Sequence, residues 1–380
     1  MQWYELKTKQ YINLRLTLFS GQCFSFKEIK KDLFAGVISD DLFFLKELNK
    51  TIYFNVFNFN KPLEIYENIL NKFFILKIDY RLLCFRWKNY NLIDCECENF
   101  LKQNDGKYSN LPPNYQITDY LQPNEIKYEE KENIRADEKC SGVDIYLDKK
   151  MFDYCLAEKG LRLLNLDILL TIFSFICSSN NNIKRIEKMV DFLYSKGEFI
   201  TEMEGFKFYT FPSPQSLYSI NIEELNINKF GYRSKYIIDC AKYLLENDFY
   251  KIETVFESKI FLKVENIFES KDFEITEEVH VSKNFKSEIR NNLIKIPGIG
   301  KKVADCICLM GFKFLDICPI DIHIYKWSVK TFEFKFKNLN DKNYSLIQEE
   351  FKKYFGKYSG IAQLFIFKSS LDKKVFKSIN

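Results

Sequence analysis

The sequence predicts an α+β chain, in which an antiparallel β-rich N-terminal part precedes a larger all-α part. Two observations support this fold class. Short apolar or alternating runs separated by turn residues fill about residues 11–60 and are typical of strands. From about residue 160 onward, longer segments with apolar residues three or four apart indicate helices. We therefore predict an N-terminal domain over residues 1–160 and a helical domain over residues 161–380.

The N-terminal part contains candidate strands at NLRLTLF, LFAGVI, LFFLKEL and TIYFNVFNF, separated by the turns SGQ, SDD and NK. Around residues 62–90 the apolar spacing becomes helical. Residues from about 92–145 are polar and rich in Asn, Lys, Glu and Tyr, with Pro112, Pro113 and Pro123 among them. This composition predicts a solvated insertion into the N-terminal domain.

The helical part begins with LDILLTIFSFIC, a predicted buried helix that ends at SSNNN. The segments IKRIEKMVDFLYSKG and SKYIIDCAKYLLEND follow with the spacing of amphipathic helices. A helix, a tight turn and a second helix then occupy the region after Asn292, with further helices from Pro319 to the C-terminal region. Nearly every element after residue 160 is therefore predicted to be helical.

The composition excludes several classes of protein. With 46% hydrophobic and 28% charged residues, the 380-residue chain is neither disordered nor collagen-like. The net charge of +4 is only a weak preference for polyanions. No run of about 18 uncharged apolar residues occurs, so we expect no membrane span. Eleven scattered cysteines without a CxxC pair, and only two histidines, predict reduced thiols and no metal site.

The segment LIKIPGIGKKVADCICLMGFKFLDICPIDIHIYKW, residues 293–327, is the most informative part of the chain. Gly298 and Gly300 allow a tight turn between two helices, because glycine has no Cβ. The backbone N–H groups of the turn and of the new helix then form a site for one phosphate. Six Lys and three Asp give residues 291–330 a charge of +3. The segment thus predicts a helix-hairpin-helix that grips a nucleic-acid backbone without reading sequence.

Lys302 lies in the first turn of the second hairpin helix. The positive end of that helix and the adjacent Lys301 both disfavour the charged form of its amine. A neutral lysine amine is a nucleophile that can form a Schiff base. Cys306, four residues later, is expected on the same helix face as Lys302. The opposite, core-facing stripe is predicted to consist of Val303, Ile307 and Met310, and Gly311 is predicted to end the helix.

Asp321 is predicted to be the N-cap of the next helix, with its side chain accepting from the backbone at residue 323 or 324. A carboxylate held there can stabilise a developing cation or relay a proton, and His323 can donate to a phosphate. Each feature alone is common in ordinary helical proteins. A glycine hairpin, a lysine two residues past its second glycine and an Asp N-cap 19 residues after that lysine form a much rarer combination.

This combination resembles the helix-hairpin-helix (HhH-GPD) DNA glycosylase superfamily, and most closely its 8-oxoguanine DNA glycosylase/AP lyase family. The similar segments occur in the family's order and are SGQCF (20–24), FSFICSSNNNIKRI (173–186), FGYRSKY (230–236), IPGIGKKVADCICLM (296–310), CPIDIHI (318–324) and YSGIAQLFIF (358–367). The resemblance covers most of residues 10–90 and 145–372. It implies a TBP-like N-terminal sheet followed by a two-part all-α glycosylase domain.

The resemblance also implies residue roles at the reacting sugar and the base. Lys302 is the implied nucleophile that attacks C1′ of the damaged nucleotide, with Asp321 as its electrostatic and proton-transfer partner. The carbonyl of Gly21 would accept the N7–H that distinguishes 8-oxoguanine from guanine. Cys306 and Phe367 would sandwich the flipped base between them. Gln363 would contact its Watson–Crick edge.

Further implied roles concern the DNA around the flipped nucleotide. Tyr232 would wedge into the base stack. The cytosine left behind would be contacted by Asn180, Arg185 and Arg233. The phosphate backbone would be contacted by Gly298, Gly300 and His323. The sequence departs from the family at Ser25-Phe26, where the family usually has Arg-Trp, and at Lys301, where it has a small polar residue. These departures concern substrate preference and leave the reaction class intact.

The implied function is a bifunctional DNA glycosylase/AP lyase that excises 8-oxoguanine opposite cytosine in base excision repair. Its expected partner is double-stranded DNA containing an oxidised purine. We expect a monomer that needs no metal or organic cofactor and is located in the nucleus, with a mitochondrial pool left open.

Two alternatives remain open at this stage. An endonuclease III-like glycosylase would act on other oxidised bases. Many such enzymes bind an iron–sulfur cluster through four C-terminal cysteines, and Cys318 is the last cysteine here. The large β-rich N-terminal part also disfavours this class. A non-catalytic DNA-binding protein would use the hairpin for phosphate alone, with Lys302 and Asp321 incidental.

Overall fold

The computed structural model describes residues 2–80, 83, 84, 87, 159–247 and 283–371. The predicted insertion at about 92–145 lies outside these residues. The N-terminal part contains an antiparallel five-stranded sheet with the strand order β1-β5-β4-β3-β2. Its strands are β1 (Tyr4–Glu5), β2 (Lys27–Lys30), β3 (Leu33–Ile38), β4 (Asp41–Leu48) and β5 (Thr51–Val56).

Strands β3, β4 and β5 correspond to three of the four predicted strands and are joined by two-residue turns. Ser39-Asp40 and Asn49-Lys50 all have positive φ angles, between 48° and 66°. Turns of this kind match the right-handed twist of paired strands. They fix the register, because Ile38 pairs with Asp41 across the first turn.

The predicted strand NLRLTLF is wrong, because this segment forms the short helix α1 (Leu14–Leu18). The Asn13 side chain caps it by accepting from the backbone N–H of Leu16 at 2.8 Å. Leu14 and Leu18, four residues apart on one helix face, are completely buried. The alternating leucines therefore satisfy a helical spacing as well as a strand spacing. The helical spacing predicted after residue 62 is confirmed by α2 (Leu63–Phe73).

Helices dominate the described residues from 159 onward. They are α3 (Ile168–Ser178), α4 (Ile183–Tyr194), α5 (Pro214–Tyr218), α6 (Ile222–Ile227), α7 (Arg233–Glu246), α8 (Lys283–Ile294), α9 (Lys301–Met310), α10 (Ile322–Thr331), α11 (Asp341–Phe355) and α12 (Ser359–Leu371), with a 3₁₀ turn at Gly356–Tyr358. Within the described ranges, no helix combines the length and the apolar character that a membrane crossing requires.

A β-hairpin interrupts these helices and was not predicted. It consists of β6 (Phe199–Met203) and β7 (Phe206–Tyr209), joined at Glu204-Gly205, where both residues have positive φ. Phe208 packs in a small apolar cluster with sheet residues that include Phe44. The Lys30 amine pairs with Glu204 at 2.7 Å. The hairpin therefore attaches the helical part to the N-terminal sheet.

A buried arginine joins the two parts more deeply. The Arg162 guanidinium, 1% exposed, donates to the carbonyls of Phe74 and Ile75 at 2.8 Å each and to Gln10 Oε1 at 2.7 Å. It also lies 4.0 Å from the centre of the Tyr80 ring. Burial lowers the pKa of Arg162. The two parts share one apolar core, in which residues of the sheet and of the helices pack together.

Candidate functional site

The tight turn between α8 and α9 is anchored by two buried isoleucines, Ile296 and Ile299. Gly298 has a φ of +86°, and a Cβ added there would lie 2.7 Å from Cβ of Tyr236. Glycine is therefore required at 298 by both conformation and space. Gly300 has an extended backbone with φ −88°, and no described atom lies within 4 Å of the position of an added Cβ. The predicted need for glycine in the turn thus holds at 298 but not at 300.

The start of α9 is open to an anion. Gly300 is exposed, occupies the N-cap position and has no side chain that could accept from the first-turn amides. Those amides lie at the positive end of the helix. Lys301 adds a cation beside them, although its amine pairs with Asp341 at 2.9 Å. The turn therefore has the groups that the predicted phosphate contact requires.

The Lys302 side chain is half-buried, and its amine lies 5.1 Å from the centre of the Phe175 ring. Among the described residues, no carboxylate lies within 4.0 Å of this amine. Burial raises the pKa of the Cys306 thiol to about 11, while the nearby Lys302 charge opposes the rise and Asp321 adds to it. The thiol is therefore within electrostatic range of both Lys302 and Asp321, and it is uncharged at neutral pH.

The predicted core stripe of α9 is confirmed, but burial is not limited to that stripe. Every residue from Val303 to Met310 is buried, because the helix packs against α3 and α8 in the centre of the helical part. The predicted core stripe is buried, but so are Cys306, at 3% exposure, and Asp305, at 0%. Only Lys301 and Lys302 in the first turn reach the surface. The predicted end of the helix before Gly311 is confirmed.

Asp321 is the N-cap of α10, as predicted. Its Oδ1 accepts from the backbone N–H groups of both His323 and Ile324, each at 2.9 Å. Within the described part of the chain, its Oδ2 has no hydrogen-bond partner. One oxygen therefore fixes the carboxylate on the helix, and the other is available for a ligand or a reacting group.

Gly21, His323 and Phe367 converge from three separate elements. Gly21 lies in the turn between α1 and β2 with a φ of +87°, and an added Cβ would lie 3.3 Å from Cε1 of Phe367. The His323 and Phe367 rings meet edge to face with their centres 5.6 Å apart. Gln363 lies one turn before Phe367 on α12 and is 8% exposed, and no described residue hydrogen-bonds to its side chain. An almost buried amide without a partner is suited to binding a polar ligand.

A second cluster forms where the turn after α3 meets the start of α7. The Tyr232 side chain is 54% exposed, and its hydroxyl donates to the carbonyl of Ser179 at 3.0 Å. The Arg233 guanidinium lies 4.4 Å from the Tyr232 ring centre and donates to the carbonyls of Ser179 and of Asn180. Asn180 is exposed, with a φ of +47°. Arg233 is only 2% exposed, so its donors already hold the turn that presents Asn180.

The remaining residues connect this cluster to its surroundings. Arg185 is exposed and donates to the carbonyl of Lys229 at 2.6 Å. The Tyr232 ring meets the Tyr236 ring edge to face at 5.9 Å, and Tyr236 in turn packs against Gly298. The exposed aromatic and the hairpin turn are therefore parts of one continuous surface.

Three residues of the site were not identified from the sequence. Phe175 lies beside the Lys302 amine, Tyr236 fills the space next to Gly298, and Asp305 is buried behind Cys306. Phe175 and Tyr236 sit in helical segments whose apolar pattern shows no more than a core position. Asp305 carried a detectable signal, because an acidic residue inside the apolar run VADCICLM requires buried partners.

Comparison with known families gives two matches along the chain. Residues 5–106 match the family described as the 8-oxoguanine DNA glycosylase, N-terminal domain. Residues 173–357 match the HhH-GPD superfamily base excision DNA repair protein family. The two matches together cover most of the chain, in the order of the β-rich part and the helical part.

Curated relatives include the N-glycosylase/DNA lyase of Saccharomyces cerevisiae. It is 34% identical over 180 residues, which are 47% of this chain and 43% of the relative. The N-glycosylase/DNA lyase OGG1 of Arabidopsis thaliana is 32% identical over 220 residues, which are 56% of this chain and 53% of the relative. The aligned regions thus span about half the length of these relatives.

Solved structures share the fold over nearly the whole chain. A structure of MBOgg1 with a low-affinity DNA ligand superposes with a TM-score of 0.63 at 23% identity, covering 98% of this chain and 100% of the other. The 8-oxoguanine glycosylase/lyase of Clostridium acetobutylicum, in complex with DNA containing cytosine opposite 8-oxoG, gives a TM-score of 0.63 at 18% identity, covering 98% and 99%. The predicted α+β architecture, with an N-terminal antiparallel sheet before a helical HhH-GPD domain, is therefore confirmed.

Proposed function

We propose that this chain is a bifunctional DNA glycosylase/AP lyase that acts on 8-oxoguanine opposite cytosine. It belongs to the HhH-GPD superfamily of base excision DNA repair proteins, and it carries the N-terminal domain of 8-oxoguanine DNA glycosylases. The observation that carries the proposal is the setting of Lys302. Among the described residues, no carboxylate lies within 4.0 Å of its amine. Both Lys302 and Asp321 are within electrostatic range of the Cys306 thiol. An amine and a carboxylate are thus held at the starts of two consecutive helices, α9 and α10.

In the proposed reaction, the Lys302 amine attacks C1′ of the damaged nucleotide. The bond from C1′ to the base nitrogen breaks, and the base leaves with that electron pair and takes up a proton. The sugar ring then opens to an imine with Lys302. Loss of a proton from C2′ breaks the C3′–O bond and nicks the strand 3′ to the lesion. The free Oδ2 of Asp321 is the proposed partner for the positive charge that develops on the sugar.

We assign recognition of the flipped base to the pocket lined by Gly21 and Phe367. Gly21 in its turn can offer a backbone carbonyl, and the Phe367 ring packs directly beside it. Gln363 supplies an unpartnered amide one helical turn away. Cys306 is the proposed second face of the sandwich. A single hydrogen bond to N7–H discriminates strongly when the alternative leaves a buried group unpaired.

We assign DNA contact to the hairpin turn and the Tyr232 cluster. Gly298, Gly300 and His323 are the proposed phosphate contacts, and Tyr232 is the proposed wedge that fills the gap left by the flipped base. For the opposite cytosine we propose Asn180 and Arg185, which are exposed. Arg233 is buried and donates to the turn that carries Asn180, so it contributes to this contact through Asn180.

Borohydride trapping on a duplex with 8-oxoguanine opposite cytosine tests the proposal. Reduction of the imine gives a permanent protein–DNA adduct that is visible on a denaturing gel. We expect an adduct with the unchanged protein, none with Lys302→Gln and a strongly slowed one with Asp321→Asn. Lys301→Gln is the comparison: it removes the neighbouring ammonium group, which pairs with Asp341, but keeps the proposed nucleophile, so an adduct should still form, at a lower rate at most. An adduct that persists in Lys302→Gln would contradict the proposal.

The same assay separates the alternatives. An adduct formed only with an oxidised pyrimidine would favour an endonuclease III-like enzyme. Binding of the duplex without any adduct would favour a non-catalytic DNA-binding protein. We also propose that the enzyme acts as a monomer and that it is nuclear, as the resemblance to 8-oxoguanine DNA glycosylases implies. Sedimentation of the purified protein and imaging of a fluorescent fusion test these two points.

A further inference from the structure

Asp305 is a completely buried carboxylate with partners from two other helices. The Arg290 guanidinium, from α8, donates to both of its oxygens. On α11, the Tyr344 hydroxyl donates to Oδ2 at 2.6 Å and the Gln348 amide donates to the same oxygen at 2.9 Å. Burial raises the pKa of the Asp305 carboxyl, and these donors oppose the rise. The Asp305 side chain is 0% exposed, and its hydrogen bonds hold α8, α9 and α11 in one arrangement.

Two of these partners also hold the chain that leads to Asp321. The Tyr344 hydroxyl accepts from the backbone N–H of Ile320 at 3.1 Å. The Gln348 amide donates to the carbonyl of Cys318 at 2.8 Å. Both contacts fall on the three residues immediately before the Asp321 cap. Asp305 is therefore linked by hydrogen bonds to the entry of α10.

The other end of the network is the helix that carries Lys302. Asp305 lies three residues after Lys302 on α9 and next to Cys306, whose thiol is within electrostatic range of Lys302. The hydrogen bonds thus connect the backbone that presents the amine with the backbone that presents the carboxylate. The Asp321 side chain itself makes no described hydrogen bond outside α10, because its Oδ1 is used within that helix.

We propose that Asp305 is a positioning residue for the reaction, which sets the Asp321 carboxylate relative to the Lys302 amine through Tyr344 and Gln348. The proposal rests on the function proposed above. Small misplacements of reacting groups have large effects on rate, whereas they change ground-state DNA binding little. Loss of the network is therefore expected to lower the rate of the covalent step more than the affinity for DNA.

A second carboxylate, that of the partly buried Asp316, provides the matched control. Asp316 also joins α8 to α11, through Lys286 at 2.6 Å and Lys352 at 2.8 Å. Its backbone carbonyl accepts from the Ser359 hydroxyl at 3.0 Å. Within the described part of the chain, no hydrogen bond or ion pair connects the Asp316 side chain with residues 318–321. The two carboxylates thus bridge the same pair of helices, but only Asp305 reaches the Asp321 segment.

The experiment compares Asp305→Asn, Tyr344→Phe and Asp316→Asn in the full-length protein. Single-turnover rates of imine formation are measured by trapping with excess enzyme and an 8-oxoguanine duplex, well below each melting temperature. Binding is measured on a duplex with a non-cleavable abasic analogue. We expect rates lowered at least about tenfold in Asp305→Asn, and lowered in the same direction in Tyr344→Phe, with unchanged affinity. Asp316→Asn should keep the rate although it lowers the melting temperature.

Tyr344→Phe keeps the ring and removes only the hydroxyl that joins Asp305 to Ile320. It therefore tests the link even if Asp305→Asn fails to fold. Unchanged rates in Tyr344→Phe, or equal rate losses in Tyr344→Phe and Asp316→Asn, would overturn the positioning role. Absence of any adduct with the unchanged protein would instead overturn the proposed function itself.

Discussion

The backbone of Gly21 packs against the ring of Phe367, so closely that a Cβ at position 21 would lie 3.3 Å from Cε1 of that ring. Gly21 belongs to a turn of the N-terminal part, whereas Phe367 lies on α12, the last described helix. The proposed base pocket is therefore built jointly by chain segments that are far apart in sequence. Its shape depends on how the two parts of the molecule are held together.

Gly21→Ala is expected to impair excision of 8-oxoguanine. An alanine at a φ of +87° costs about 1–2 kcal/mol, and its Cβ would lie in tight contact with Phe367, at 3.3 Å. Cleavage of a duplex with a preformed abasic site, which needs no base recognition, should be nearly unchanged. Gly205→Ala is the control, because Gly205 has a φ of +78° and its added Cβ would meet no described atom within 4 Å. Equal excision by the two variants would contradict the assigned pocket.

Substitutions of Asp321 should separate its cap from its charge. Asp321→Ala removes the acceptor of two backbone N–H groups and should cost about 1 kcal/mol of folding free energy. Asp321→Asn keeps an oxygen there and should retain most of that stability, yet both variants should lose glycosylase rate. Asn340, the N-cap of α11, gives the comparison. Asn340→Ala should destabilise by a similar amount, measured by thermal unfolding, and should leave the rate intact.

Acid stability should depend in part on Asp316. Burial opposes its ionisation, but the amines of Lys286 and Lys352 lower the pKa of this carboxyl below its ordinary value of 3.8. A carboxyl with a lowered folded-state pKa stabilises the protein above pH 3.8, and this contribution is lost as the pH falls through the folded-state value. The stability difference between the unchanged protein and Asp316→Asn should therefore be greatest near neutrality and shrink in acid. Denaturant unfolding of both proteins over a pH series measures this difference in unfolding free energy. A difference that grows in acid would contradict the lowered pKa of Asp316.

Cys306 should be a poorly reactive thiol. It is 3% exposed, and burial raises its pKa to about 11, so the thiolate is scarce at neutral pH. Alkylation of the folded protein with iodoacetamide, followed by peptide mapping, should leave Cys306 unmodified near neutral pH. Denaturant should restore labelling. Rapid labelling of Cys306 in the folded protein would show a thiolate stabilised by Lys302 instead.

Periodicity predicted the longer regular elements of the fold but not the short ones. Strands β3 to β5 and helices α3, α4 and α7 follow apolar repeats of a length that only one type of structure satisfies. It failed for α1, where Leu14 and Leu18 fit either spacing. It also missed the β6–β7 hairpin, whose Glu204-Gly205 turn lacks the Asn-Gly or Asp-Gly pair that signals such turns.

The site was predictable where its chemistry is local. The Asp321 cap involves neighbours two and three residues away, so a sequence motif suffices to specify it. Other contacts of the site depend on which helices pack together, and a local sequence pattern does not contain that information. Examples are the contact of Lys302 with Phe175 and that of Gly298 with Tyr236. The burial of Arg233 has the same origin, because its Nη2 donates to the carbonyls of Ser179 and Asn180 in a separate turn. Pairwise proximity in three dimensions was the missing information.

The buried Arg162 has a consequence for the order in which the protein acquires its structure during translation. Its guanidinium completes the hydrogen bonds of carbonyls at Phe74, Ile75 and Ile78, all of which leave the ribosome earlier. Until the segment around residue 162 emerges, those carbonyls must stay hydrated, and the nascent sheet cannot close its interior against them. These carbonyls of the N-terminal part are therefore synthesised first but gain their buried partner only with the segment around residue 162, which precedes α3.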